Sequence, residues 1–119
     1  MYTYKQATGQ FFDPEGMSMG NGYSGTGNGR NIPSMQNIPN VGPIPKGVYY
    51  IDKAFDQIPG KGPCVMHLWP IRNTNDYGRS GFMIHGNNAS NDASEGCIIL
   101  GPDIRKQIAN GNERLLEVI

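Results

Sequence analysis

The chain has 119 residues, of which 10 are basic and 10 acidic with no run of either sign. That length leaves room for one domain with a single core. The charge balance excludes the broad electrostatic attraction that nucleic acid or an anionic membrane exploits. With 17 Gly and 9 Pro set among short bursts of β-branched and aromatic residues, the composition predicts short strands joined by many turns rather than long helices.

In chain order, Tyr2 to Gln6 alternates in the manner of a strand, Ala7-Thr8-Gly9 turns, and Gln10-Phe11-Phe12 returns to a second turn at Asp13-Pro14-Glu15-Gly16. Residues 20–40, "GNGYSGTGNGRNIPSMQNIPN", are too glycine-rich and polar to predict a regular element; the stretch reads as a long surface loop able to cover a site, with Tyr23 and Ile32 as its anchors. "GPIPKGVYYIDKAF" sets an entry turn before the strand Val48-Tyr49-Tyr50-Ile51. "CVMHLWPI" and "RSGFMIHG" give two more strands, parted by turn signals from Asn73 to Gly78. Pro102-Asp103 opens a short helix with Ile104 and Ile108 on one face, Gly111 stops it, and Leu115 to Ile119 closes the chain as a strand. The expectation is a mainly β, single domain over residues 1–119, of sandwich or barrel-like form, with one short helix near the C-terminus.

Two cysteines do not make a disulfide framework, so Cys64 and Cys97 read as free thiols. Met1 to Gln6 lacks an apolar h-region behind a basic start, and no segment approaches the length of a membrane span. A soluble protein without a Sec-type address or membrane insertion is expected.

Residues 82–100, "FMIHGNNASNDASEGCIIL", carry the chemistry. Apolar flanks pin a loop of Gly, Asn, Ala, Ser and Asp, and each pin bears a reactive side chain: His85 at one end, Cys97 at the other. A free thiol with pKa ~8.5 is only a few per cent thiolate at neutral pH, so a neighbouring imidazole is what makes it a useful nucleophile. Gly96 directly before the thiol leaves room for backbone N–H groups to turn toward a developing oxyanion. The group orienting His85 is open among a backbone carbonyl, Ser94 and an acidic residue such as Asp92. Packing alone is the plainer use of a Cys/His pair, but a loop of this composition is suited to exposing a residue rather than filling a core.

Zinc is a second use of the same residues, since Cys64, His67, His85 and Cys97 form a four-ligand set with a Cys-x-x-His start. Positions three apart on a strand face opposite sides of a sheet, which argues against a shared ion, and no metal or other cofactor is expected. Cys64 then reads as a core or edge thiol, and Trp69 and the Tyr49-Tyr50 pair read first as core.

"IHG", a short loop and "SEGC" resemble the His-Gly and Ser-x-Gly-Cys signature of the L,D-transpeptidase (YkuD-like) catalytic domain, and the layout from "TGQFFDPEG" through "GNGYSGTGNGRN", "GPIPKGVYYI" and "GRSGFMIHG" to "ASEGCI" is similar to the L,D-transpeptidase-related toxins delivered by type VI secretion. The resemblance covers nearly the whole chain. It implies action on peptidoglycan tetrapeptide stems between meso-diaminopimelate and D-Ala, as carboxypeptidase or D-amino-acid exchange. It further implies a cognate immunity protein, a secretion apparatus, and action in the periplasm of a target cell. Position by position, it makes Cys97 the nucleophile, His85 the base, Gly86 the companion of that base, and Ser94 with Gly96 the turn that presents the thiol. Arg79 becomes a candidate for holding a substrate carboxylate, and Tyr23 in the glycine-rich stretch a candidate substrate contact. The chain departs from the wall-building enzymes in having Glu95 where they carry His and Ile98-Ile99 where an Arg follows the thiol. Two other assignments stand beside this one: a cysteine peptidase of another kind, and a cell-wall-binding module with an inert Cys97, whereas a catalytic thiol is expected to be alkylated quickly at neutral pH.

Overall fold

Ten strands, two 3-10 turns and one α-helix make up the described residues of the computed structural model, which are 1–58 and 61–119. The strands are β1 (Tyr2–Tyr4), β2 (Gln10–Phe12), β3 (Ser18–Asn21), β4 (Tyr23–Ser24), β5 (Gly47–Ile51), β6 (Phe55–Ile58), β7 (Gly62–Ile71), β8 (Met83–His85), β9 (Ile98–Ile99) and β10 (Leu115–Val118); the helix α1 spans Pro102–Asn110. They form one mixed sheet in the order β3-β2-β1-β10-β5-β7-β8-β9-β4, with β6 paired to β7 off that path. The β1/β10 and β8/β9 ladders are parallel and the rest antiparallel. The fold is thus mainly β with one short helix near the C-terminus, as the sequence predicts. A radius of gyration of 12.7 Å sits just under the ~13.5 Å expected of a compact chain this long.

The first and last strands of that path are neighbours in the chain. β3 ends at Asn21 and β4 begins at Tyr23, so the open ladder must curl until its two edges stand one residue apart. Gly22 is that residue. Its N–H donates to Gly9 O at 2.7 Å, and a Cβ there would overlap Ile99 O, so only glycine lets the two edges approach. The sandwich or barrel-like form expected of the sequence is realised as a single curled sheet.

Residues 20–40 were expected to hold no regular element, and here the structure differs. β4 pairs Tyr23 with Ile99 and Ser24 with Ile98, and 3-10 turns lie at Gly27–Gly29 and Pro33–Met35. A two-residue strand has no periodicity to read; it exists because β9 offers it a partner. Tyr23 is buried as an anchor, but Ile32 is 41% exposed. Trp69 and Tyr50 are also exposed rather than core. They face each other across β5 and β7, and since neighbours on a strand point to opposite faces, Tyr49 takes the buried side and Tyr50 the outer one. The strand expected over "RSGFMIHG" shortens to Met83–His85.

Tyr4, Phe11, Ile44, Tyr49, Met66 and Ile84 are among the buried residues of the core. α1 seats Ile104 and Ile108 against it, each worth about 1.5–3 kcal/mol when fully buried. Pro102 occupies the first turn, where its missing N–H costs nothing, Asp103 complements the helix dipole, and Gly111 N–H closes the end on Gln107 O and Ile108 O. Among the described residues no helix is long and apolar enough to cross a membrane.

Candidate active site

Parallel pairing of β8 with β9 sets Ile84 beside Ile98 and His85 beside Ile99. Cys97, one residue before β9, therefore shares the sheet face of His85, one diagonal step away. Both residues line a cleft of about 360 Å³ whose walls include Gly81, Met83, Lys61 and Asp92.

His85 is 1% exposed. Its Nδ1 lies 2.9 Å from Gly86 O, and because a carbonyl can only accept, Nδ1 carries the proton and Nε2 the lone pair. The group orienting the imidazole is thus the backbone carbonyl of the next residue, not Ser94 or Asp92. Nε2 is buried without a hydrogen-bond partner among the described residues. Burial, with the Lys61 and Arg105 charges nearby, holds His85 below the ordinary histidine value, so the ring stays neutral with its Nε2 lone pair free.

Cys97 is also buried, with Sγ 3.6 Å from Gly81 O. Burial pushes its thiol above the usual range, against the opposing pull of a backbone hydrogen bond from Met83 and the Lys61 charge. The resting site is therefore a neutral thiol beside a neutral imidazole. Rapid alkylation at neutral pH, expected of an enzyme thiol, does not follow from this geometry.

The polar loop between the two residues builds itself from its own amides. Asn87 Nδ2 donates to Asn91 Oδ1 at 2.8 Å, Asn88 Nδ2 to Asp92 Oδ1 at 2.9 Å, and Asp92 N–H to Asn88 Oδ1 at 3.1 Å. Tyr23 clamps it from below: its hydroxyl donates to Asn87 Oδ1 at 2.6 Å and accepts from Ala93 N–H at 2.8 Å. Arg30 stacks 3.6 Å over the Tyr23 ring and donates to Asn91 O at 2.8 Å. Tyr23 thereby positions the loop, and it also lines a cavity beside it.

Ser94 and Arg79 likewise hold backbone. Ser94 Oγ donates to Cys97 O at 2.7 Å and accepts from Gly25 N–H at 2.9 Å and Gly96 N–H at 3.2 Å. The Gly96 N–H is thus turned to Ser94 and not outward to an oxyanion. Arg79 is 7% exposed, and its two terminal nitrogens donate to the carbonyls of Gln36, Pro43, Gly42 and Glu95. It fastens residues 36–43 to the segment before the thiol, with both terminal nitrogens engaged by backbone carbonyls. Gly96, at φ +128°, leaves the space that Arg79 Nη2 occupies. Gly86 does the same for Arg105: a Cβ there would stand 2.9 Å from its Nη2.

Cys64 and His67 lie away from the cleft. Cys64 sits in the β6/β7 pair, and His67 stacks on Trp69 and meets Phe55 edge to face. Among the described residues no three His, Cys, Asp or Glu side chains gather as a metal site would require.

Sequence reasoning missed Ser24, Lys61 and Arg105. Ser24 Oγ accepts from Ile44 N–H at 2.8 Å and reaches Gly96 O at 3.4 Å. Arg105 is buried with Ile104 and Ile108 on one stripe of α1, and a charged residue three positions before Ile108 on an apolar stripe was the legible signal. Ser24 and Lys61 gave no comparable sign.

No curated protein matches the chain. A family model described as the Tlde1 domain, a name that fits a toxin-like type VI secretion effector, matches residues 18–117, and the chain belongs to that family.

Proposed function

We propose that the chain is a cysteine acyl-transfer enzyme acting on peptidoglycan tetrapeptide stems, with Cys97 as nucleophile and His85 as base. The observation that carries the proposal is the buried, unpartnered Nε2 of His85 in the cleft that Cys97 also lines. Leaving a buried acceptor unpaired costs about 1–3 kcal/mol, a cost that proton acceptance from a thiol gives reason to retain.

In this mechanism the Cys97 proton passes to Nε2 as Sγ bonds to the diaminopimelate carbonyl carbon. The imidazolium returns that proton to the amine of D-Ala as the C–N bond breaks. The resulting thioester is resolved by water, giving the tripeptide, or by the amine of a free D-amino acid, giving an exchanged tetrapeptide. Ser94, Gly96, Tyr23 and Arg79 act by holding the thiol and the loop in place. Membership of a type VI effector family also implies a cognate immunity protein and a secretion apparatus.

Mass spectrometry of purified muropeptides incubated with the protein tests the proposal. Tetrapeptides should shorten by D-Ala, Cys64→Ala should retain this activity, and Cys97→Ala should lose it. Cleavage within the glycan or at the sugar–peptide amide would assign a different reaction, and undiminished turnover by Cys97→Ala would remove the nucleophile.

A further inference from the structure

A second cavity, of about 460 Å³, is lined by Gly86 and Asn87 just after β8, by Ile99 of β9 and by Pro102 and Arg105 of α1. Arg105 and Lys61 line it, and no Asp or Glu does. Lys61 lines both cavities, so the two adjoin.

Arg105 is 6% exposed. Its Nε donates to Leu100 O at 3.0 Å and its Nη1 to Pro63 O, while Nη2 has no acceptor and the guanidinium no carboxylate among the described residues. Arg79 is the internal comparison, since it is equally buried but spends both terminal nitrogens on four carbonyls. A guanidinium nitrogen left vacant beside a cavity offers a charge-assisted donor, and an anionic oxygen is the partner that suits it best. Gly86 lets that fork lie against the backbone immediately after His85, which links the cavity to the reacting atoms.

We infer that this cavity is a carboxylate-binding subsite, in which Arg105 Nη2 and the Lys61 ammonium hold a carboxylate of the peptide or amino acid that reacts at Cys97. The identity of the ligand rests on the acyl-transfer reading above; the subsite itself rests on Arg105, Lys61 and the cavity. Two sources share this chemistry, the stem peptide's own carboxylate and that of a free D-amino acid.

The test is calorimetric titration of the Cys97→Ala chain, which binds without turning over, with tetrapeptide stem, D-alanine and D-alaninamide. At least one carboxylate ligand should weaken roughly tenfold or more on Arg105→Gln, as expected when one partner of a buried charge pair is truncated. Loss confined to the tetrapeptide assigns the stem, and loss for D-alanine assigns the free amino acid. Because Arg105→Gln can also perturb packing, Lys61→Gln and the choice of D-alanine against D-alaninamide provide arms with Arg105 intact. Weaker carboxylate binding in Lys61→Gln, or a preference for D-alanine over its amide, supports the subsite. Unchanged affinities in folded Arg105→Gln and in Lys61→Gln, with no preference for the acid, overturn it. Carboxylate binding that depends on Arg105 in a protein whose native form leaves stems uncut would retain the subsite and remove the acyl-transfer reading.

Discussion

Gly96 lies against the guanidinium of Arg79, with φ at +128° and no side chain, so that Arg79 Nη2 occupies the place a Cβ would take. The same nitrogen donates to Glu95 O and Gly42 O. The residue before Cys97 is thus glycine for two independent reasons, one conformational and one steric.

Gly96→Ala should therefore damage the site from both directions. The positive φ alone costs about 1–3 kcal/mol for a residue with a Cβ, and the displaced guanidinium would loosen the segment that ends in Cys97. We expect a lowered melting temperature and a loss of muropeptide turnover of about 10²-fold, in line with the cost of an ångström-scale misplacement. A variant melting like the parent with full turnover would show that Arg79 does not set the thiol's position.

Arg79→Met separates fastening from substrate holding. A side chain that anchors buried carbonyls should, when removed, leave them unpaired at roughly 1–3 kcal/mol each, reduced by whatever relaxes. Urea unfolding should show a clear loss of stability, and turnover should fall mainly through kcat. A raised KM with unchanged stability would return Arg79 to the carboxylate role that the sequence suggested for it.

The sequence announced the elements whose signals are local and repetitive. The Pro102 start, the Ile104/Ile108 stripe and the Gly111 stop define α1 as observed, and Val48 to Ile51 reads as a strand by composition alone. What it concealed depends on partners distant in the chain. β4 is two residues long and exists only through Ile98 and Ile99. Arg79 and Tyr23, singled out as substrate contacts, have donors and acceptors whose counterparts lie 16 to 43 and 64 to 70 residues away. No window of sequence could show that these were already engaged. The outward turn of Tyr50 was legible from alternation against Tyr49.

The pH dependence follows from two burial shifts of opposite sense. His85 is held below the ordinary value of 6.5, so the base remains neutral as pH falls past that point. Cys97 is held above the ordinary thiol range, so the thiolate forms only under alkaline conditions. The kcat/KM profile should therefore be broad, with its acid limb below pH 6.5. Alkylation of Cys97 by iodoacetamide should be slow at neutral pH and rise as the thiol ionises. Stability follows the same signs. As pH falls through about 6.5, the unfolded chain takes up the histidine proton before the folded one does, so the contribution of neutral His85 is lost on going down toward its folded value. As pH rises through about 8.5, the unfolded chain gives up the thiol proton first, so the contribution of Cys97 is lost on going up. An acid limb at or above pH 6.5, or a thiol alkylated fastest at neutral pH, would contradict this account.

The proposed substrate lies in the periplasm of a Gram-negative cell, so harm to a cell should depend on the compartment the protein reaches. Produced in the cytoplasm, the chain is kept from the tetrapeptide stems of the wall and should be tolerated. Fused to a Sec signal peptide, it should trim tetrapeptides of the wall, and cells should swell or lyse. The His85 and Cys97 pair makes the comparison specific, since Cys97→Ala removes the attacking sulfur while leaving a small, apolar side chain in a position that is already 92% buried, the remaining 8% being exposed. The exported Cys97→Ala protein should therefore accumulate to the parent level and leave cells intact, and muropeptides from the two cultures should differ in the ratio of tripeptide to tetrapeptide. Growth curves, microscopy and muropeptide profiles of the three strains check each step. Toxicity restricted to the cytoplasmic form, or undiminished by Cys97→Ala, would assign the harm to something other than acyl transfer at the wall.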